Sequence, residues 1–179
     1  LFPYTTLFRS DAKADEFFQQ AADKGSTAGM FAVGGRYERA NFMERDAAKK
    51  EFNRKKAVEY YEMAGMKGNA YGYAKLGELY ANRELNGVEP FLNKDEKKGF
   101  EFDLKAADMG DAPSMFIVAT AYEKGIGTAV DGKKAFEYYK KAADCHHGIA
   151  FKAGIKIGDC YRDGIGVAKD EKKYFECCK

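Results

Sequence analysis

One stretch constrains this chain more than any other. It is Tyr122 to Asp144, YEKGIGTAVDGKKAFEYYKKAAD, and worn copies of it recur along the length. A chain that repeats itself in this way folds as a stack of like units, each covering its neighbour's apolar face. The tyrosines ahead of each loop act as a ruler and set the period. Tyr37, Tyr80, Tyr122 and Tyr161 stand 43, 42 and 39 residues apart, the range of a two-helix unit.

Around each of these tyrosines the same residue types fall at helical intervals. Three places back stand Gly34, Gly77, Ala119 and Gly158, and four places back Val33, Leu76, Val118 and Ile157. Eight places back stand Gly29, Gly72, Ser114 and Ala153, all small. Intervals of three, four and eight share one helix face, so these positions predict a first helix that a neighbour approaches closely.

A second segment in each unit reads as an aromatic pair, then alanines, then glycine. Its copies are Phe17-Phe18 with Gly25, Tyr60-Tyr61 with Gly68, Phe102 with Gly110, and Tyr138-Tyr139 with Ala142-Ala143. Gly25, Gly68 and Gly110 sit where a helix ends in a left-handed residue. Gly125-Ile126-Gly127 and Gly164-Ile165-Gly166 end first helices, and Asp131 and Asp170 then cap second ones. No β-branched strand precedes either Gly-x-Gly, so a phosphate-cradling loop is disfavoured.

The pattern of small-x-x-x-Leu-Gly-x-x-Tyr, Gly-x-Gly-Val and Asp-x-x-Lys-Ala-x-x-Tyr-Tyr-x-Lys-Ala-Ala resembles the Sel-one-like repeat (SLR), a relative of the tetratricopeptide repeat. The resemblance runs from about Ala14 to Lys179 and implies an all-α fold, a right-handed α-solenoid of stacked antiparallel helix pairs, SLR/TPR-like. Two segments depart from it. Residues 39–54 read as an extended charged insertion in place of the first loop, and residues 82–93 replace Gly-x-Gly with Asn86-Gly87-Val88 and Pro90.

Residues 1–10, LFPYTTLFRS, fit no repeat position and resemble the translation of an adapter used in short-read sequencing libraries. They are expected to be non-native and unpacked, with 11–179 a fragment of about four units from community DNA. On that reading both ends lack capping repeats, and end-to-end self-association is expected.

Composition narrows the partners. The net charge is +2 with 32% charged residues and no basic run interleaved with aromatics, which disfavours nucleic acid. No apolar stretch nears the roughly 20 residues of a membrane helix. Lys133-Lys134 and Lys172-Lys173 read as solvated faces. The four cysteines and two histidines gather late in the chain, at Cys145-His146-His147, Cys160 and Cys177-Cys178. Adjacent histidines rarely share one metal and no Cys-x-x-Cys pair exists, so these residues read as helix packing, with no metal and no cofactor. The cysteine usage leans toward a reducing compartment. Cysteine-rich members of the family staple neighbouring units at positions that here hold Ala142-Ala143 and Ala150, so that framework is absent.

Glu16, Glu59, Glu101, Glu137 and Glu176 recur at one repeat position and read as scaffold, and neither Ser26 nor Ser114 has a base nearby in sequence. No catalytic residue is assigned. The family resemblance implies protein–protein interaction, with first helices lining the concave surface. The expected contact ladder is Lys75, Glu78, Ile117, Thr120, Glu123, Lys156, Asp159 and Arg162, offered to another protein or an extended peptide. The alternative is a substrate-presenting arm of a larger enzyme.

Overall fold

The computed structural model describes residues 4–82, 90–145 and 148–177, with side chains from Lys13 onward. The expectation that Leu1 to Ser10 stays unpacked therefore lies outside the described side chains. Every regular element among the described residues is an α-helix. The chain divides into two units, residues 1–76 and 77–179.

The first unit holds α1 (Tyr4–Asp23), α2 (Thr27–Met43), α3 (Ala47–Met66) and the opening turns of α4 (Ala70–Ala81). Helix α2 packs on both α1 and α3. Ala22, Met30, Val33 and Ala64 form the buried centre, with Tyr37 and Tyr60 packed against it. The small positions act as the sequence predicts. A methyl on Gly29 would come within 2.7 Å of the Ala22 backbone nitrogen, and one on Gly72 would overlap the Tyr61 carbonyl. Helices this close exchange side-chain volume for backbone contact and dense packing.

The second unit continues from α4 through α5 (Glu96–Asp108), α6 (Ala112–Lys124), α7 (Gly132–Asp144), α8 (Ala150–Asp163) and α9 (Glu171–Cys177), each helix from α5 packing on the next. Ala107, Val118, Ala119, Tyr122, Ala135, Tyr139 and Cys160 make its core.

Two kinds of link recur. Between repeats, a left-handed glycine closes the helix in the Schellman manner: Gly110 N–H donates to Ala107 O at 3.0 Å and Asp111 N–H to Ala106 O at 3.1 Å. Gly25 with Ser26, and Gly68 with Asn69, repeat the pair. Within repeats, the aspartate that caps the second helix also donates its backbone N–H to the carbonyl of the ruler tyrosine, at 2.9 Å for Asp131 on Tyr122 and for Asp170 on Tyr161. Asp95 makes the same bond to Tyr80 O at 2.9 Å, so the departing segment closes on the same contact as the two regular loops. Asn86-Gly87-Val88 lies outside the described residues.

The other departing segment corrects the sequence reading. Residues 39–54 are not an irregular loop: α2 runs on to Met43, α3 begins at Ala47, and only Glu44, Arg45 and Asp46 join them. The insertion lengthens two helices because its Ala, Lys, Glu and Arg residues are strong helix formers. The turn is fixed locally. Glu44 Oε1 accepts the N–H groups of Arg45 at 2.8 Å and Asp46 at 3.0 Å, while Asp46 caps α3 through Lys49 N–H at 2.9 Å. Those backbone donors hold the Glu44 carboxyl below the usual range.

Candidate protein-binding face

Three of the four ruler tyrosines stack on the ring at the first aromatic position of the second helix, while Tyr161 meets Phe136 edge-on at 5.4 Å. Tyr37 lies 5.9 Å from Tyr60, Tyr80 5.7 Å from Phe102 and Tyr122 6.0 Å from Tyr138. A lysine then covers the ruler ring: Lys98 on Tyr80 at 4.3 Å, Lys134 on Tyr122 at 5.1 Å, Lys173 on Tyr161 at 5.1 Å. Lys134 and Lys173, read from sequence as solvated, thus shield the ring, each contact contributing about 0.5–1 kcal/mol. Burial, reinforced by Asp108, pushes the Tyr138 hydroxyl up to about 12.

The second ring of the pair turns toward the first-helix face. Tyr139 is fully buried and donates its hydroxyl hydrogen to Glu123 Oε2. Lys156 Nζ, one helix further on, donates to both Glu123 oxygens at 3.2 Å. The first unit builds the same relay from different residues. Tyr61 donates to Glu38 Oε2 at 2.6 Å, and Lys75 Nζ lies 3.2 Å from Glu38 Oε1. Tyr61 and Tyr139 occupy one repeat position, Glu38 and Glu123 follow the ruler tyrosine, and Lys75 and Lys156 precede the next one by five. Burial, then the bond to Glu123, drives the Tyr139 hydroxyl far above its ordinary range, so it stays a donor.

This geometry sorts the expected contact residues. Lys75, Glu123 and Lys156 are half-buried struts of the two relays, and Thr120 joins the second, its Oγ1 3.1 Å from the Tyr139 hydroxyl while it donates to Phe116 O at 3.0 Å. Arg162 is exposed and bridges Asp159 at 3.0 Å and Asp163 at 2.8 Å, which raises the guanidinium further and lowers Asp163. Glu78 is half-buried on α4. Ile117 is also half-buried and lines a cavity in the second unit with Phe100, Asp103 and Phe116. The relay was missed in the sequence, although its three positions share one repeat register.

Cys160 packs in the core beside Tyr139, and burial pushes its thiol up to about 11. The Cys145 thiol donates to Lys141 O at 3.3 Å at the end of α7. Among the described residues no three of His, Cys, Asp and Glu gather as metal ligands, while His146, His147 and Cys178 lie outside them. Among the described residues no helix is long and apolar enough to cross a membrane.

Known proteins share this architecture. The chain is 29% identical over 118 residues to chitin synthase regulatory factor 1 of Schizosaccharomyces pombe, covering 66% of this chain and 24% of that one. It is 31% identical over 130 residues to chitin synthase regulator SKT5 of Saccharomyces cerevisiae, covering 73% and 17%. The chain thus spans a quarter or less of these relatives. Among solved structures, a protective antigen of uropathogenic Escherichia coli displaying an SLR fold superposes with a TM-score of 0.67 over 93% of this chain and 32% of that one, at 25% identity. The model of the Sel1 repeat matches residues 6–26, 27–69, 70–111, 112–147 and 152–173, five segments where the period alone counts about four. With helix pairs, closing bonds and glycine ends recurring in those segments, the chain belongs to the Sel1 repeat family.

Proposed function

We propose that this chain is an interaction scaffold of the adaptor kind, which holds another protein or an extended peptide on its first-helix face. The observation that carries this reading is the repeated relay. Tyr61–Glu38–Lys75 and Tyr139–Glu123–Lys156 tie the first helices of successive repeats through partly buried charge pairs, which pre-organises a face before a partner arrives. The kinship with regulators of chitin synthase supports a role exercised through other proteins.

Within that face Ile117, Thr120, Asp159 and Arg162 are the contact residues of the second unit, and Glu78 is the acidic contact on α4. Lys75, Glu123 and Lys156 position them. Charge reversal at Lys75 or Lys156 would press two carboxylates together and disturb the fold, so the face is better tested at its rim.

The test is capture by immobilised wild-type chain, by an Ile117→Glu/Arg162→Glu variant, and by Lys140→Glu as a control on the exposed side of α7. A partner retained by wild type and the control but lost by the double variant supports the face. Equal capture by all three would remove the face from consideration.

A further inference from the structure

Laying the repeats over one another exposes a vacancy. In the first relay the three positions hold Glu38, Tyr61 and Lys75, and in the last they hold Glu123, Tyr139 and Lys156. The copy between them holds Ala81, Asp103 and Ile117. Every member has changed together: the phenol ring has shrunk to a carboxylate, the glutamate to a methyl, and the lysine to an apolar side chain.

The space left behind is a cavity of about 370 Å³ in the second unit, within the range of small-ligand sites. Phe100, Phe116, Ile117 and Ile126 supply apolar walls, Thr120 a hydroxyl, and Asp103 a carboxylate that is 2% exposed. Asp103 is held against the backbone, since a methyl on Gly77 would overlap its carboxylate. Gly34 faces Tyr61 in the same way: a methyl there would come within 2.8 Å of the ring. Gly77 thus matches the glycine that faces Tyr61 in the first relay, while the copy that holds Tyr139 carries Ala119 at that position.

We propose that this cavity receives a tyrosine side chain from the bound partner, whose phenolic hydroxyl donates to Asp103. The inference rests on the scaffold reading above. Three observations select a phenol. The equivalent space in both neighbouring copies is filled by a phenol whose hydroxyl donates to a carboxylate. Rings line the cavity, and edge contacts such as Phe116 to Tyr139 at 5.4 Å are how this fold already seats a tyrosine. A carboxylate has about four acceptor sites, more than one existing partner fills, so Asp103 has the chemistry to take a phenolic hydrogen in addition. The partner restores, from outside, the ring that the middle repeat has given up.

The test uses p-cresol, the tyrosine side chain without its backbone, titrated into the full chain while the methyl signals of Ile117 and Ile126 are followed by NMR. Saturable shifts are expected at both, with p-cresol binding roughly tenfold tighter than toluene, the step a hydrogen bond to a carboxylate supports. Asp103→Asn should close that gap several-fold. Asp103→Tyr should abolish binding and raise Tm by refilling the cavity. Should that variant fail to fold, Ile117→Phe fills the same space from the opposite wall and should also abolish binding. Equal binding of toluene, absence of shifts at Ile117 and Ile126, or tenfold tighter binding of 4-methylbenzylammonium would each overturn the proposal, the last by making the site a cation pocket. The titration needs no partner, so its failure leaves the capture experiment standing, and failure of capture leaves the titration interpretable.

Discussion

Tyr139 and Glu123 share a hydrogen across the seam between a second helix and a first helix, with the phenol buried and the carboxylate 16% exposed. Tyr139→Phe keeps the ring and removes the donor, leaving Glu123 to Lys156 alone. The expected loss is about 1–2 kcal/mol in denaturant unfolding, and Tyr61→Phe should match it, since Tyr61 bears the same relation to Glu38. A loss below about 0.3 kcal/mol in both would show that the hydroxyls are energetically idle.

The relay lysines should couple to their glutamates more strongly than surface pairs do. A double-mutant cycle on Glu123→Gln and Lys156→Met is expected to give about 1 kcal/mol, against about 0.3 kcal/mol for the exposed pair Lys55–Glu51 at 3.5 Å. Raising salt should weaken the second pair first. Equal coupling energies would argue against partial burial as the source.

Alkaline pH should destabilise the chain from within its core. The Cys160 thiol is neutral in the fold and is pushed from its ordinary 9.0 to about 11 by burial, with Glu123 adding to it. A group whose folded value is raised contributes stability that is complete below the unfolded value and is lost as pH rises through the folded one. The loss should therefore begin near 9 and finish near 11, with a size on the order of 2 kcal/mol. Cys160→Ala should remove that part of the slope while leaving the later part owed to Tyr138 and Tyr139. Chemical denaturation at stepped pH checks both, and an unchanged slope in the variant would refute the assignment.

Gly72→Ala should be costly although it adds one methyl. That methyl would overlap the Tyr61 carbonyl and come within 2.8 Å of the Gly65 nitrogen, and backbone does not yield as a side-chain tip does. The expected loss is about 1–3 kcal/mol. Gly148→Ala, where the added methyl would meet nothing within 4 Å, is the control and should be near neutral in thermal unfolding.

How far the sequence carries depends on which interactions lie within one helix. The ruler tyrosines, the small residues at Gly29, Gly72, Ser114 and Ala153, and the caps at Asp131 and Asp170 follow from spacing along single segments, and they stand in the structure where spacing puts them. The relay is harder to see because its members come from three helices. Lys75, Glu123 and Lys156 are visible as face positions, yet their pairing depends on how one helix leans on the next. The stretch 39–54 misleads for a different reason. Its charges imitate a loop, while the intrinsic preferences of its residues and the Asp46 cap extend α2 and α3 almost to meeting. The vacancy at Asp103 is legible only after the relay is known, since three ordinary residues become informative when read as one triple.

Asp111 finishes α5 through its backbone N–H and starts α6 through its carboxylate, which accepts Ser114 N–H at 2.9 Å. Ser26 does both jobs in the first unit. A joint in which one residue is both full stop and capital letter has no slack. Adding a single residue there would rotate the following helix by about 100° and swing its small-residue stripe away from its neighbour. At these joints the array grows by recombination of whole repeats rather than by insertion, and added residues are taken up within the repeats, as at 39–54.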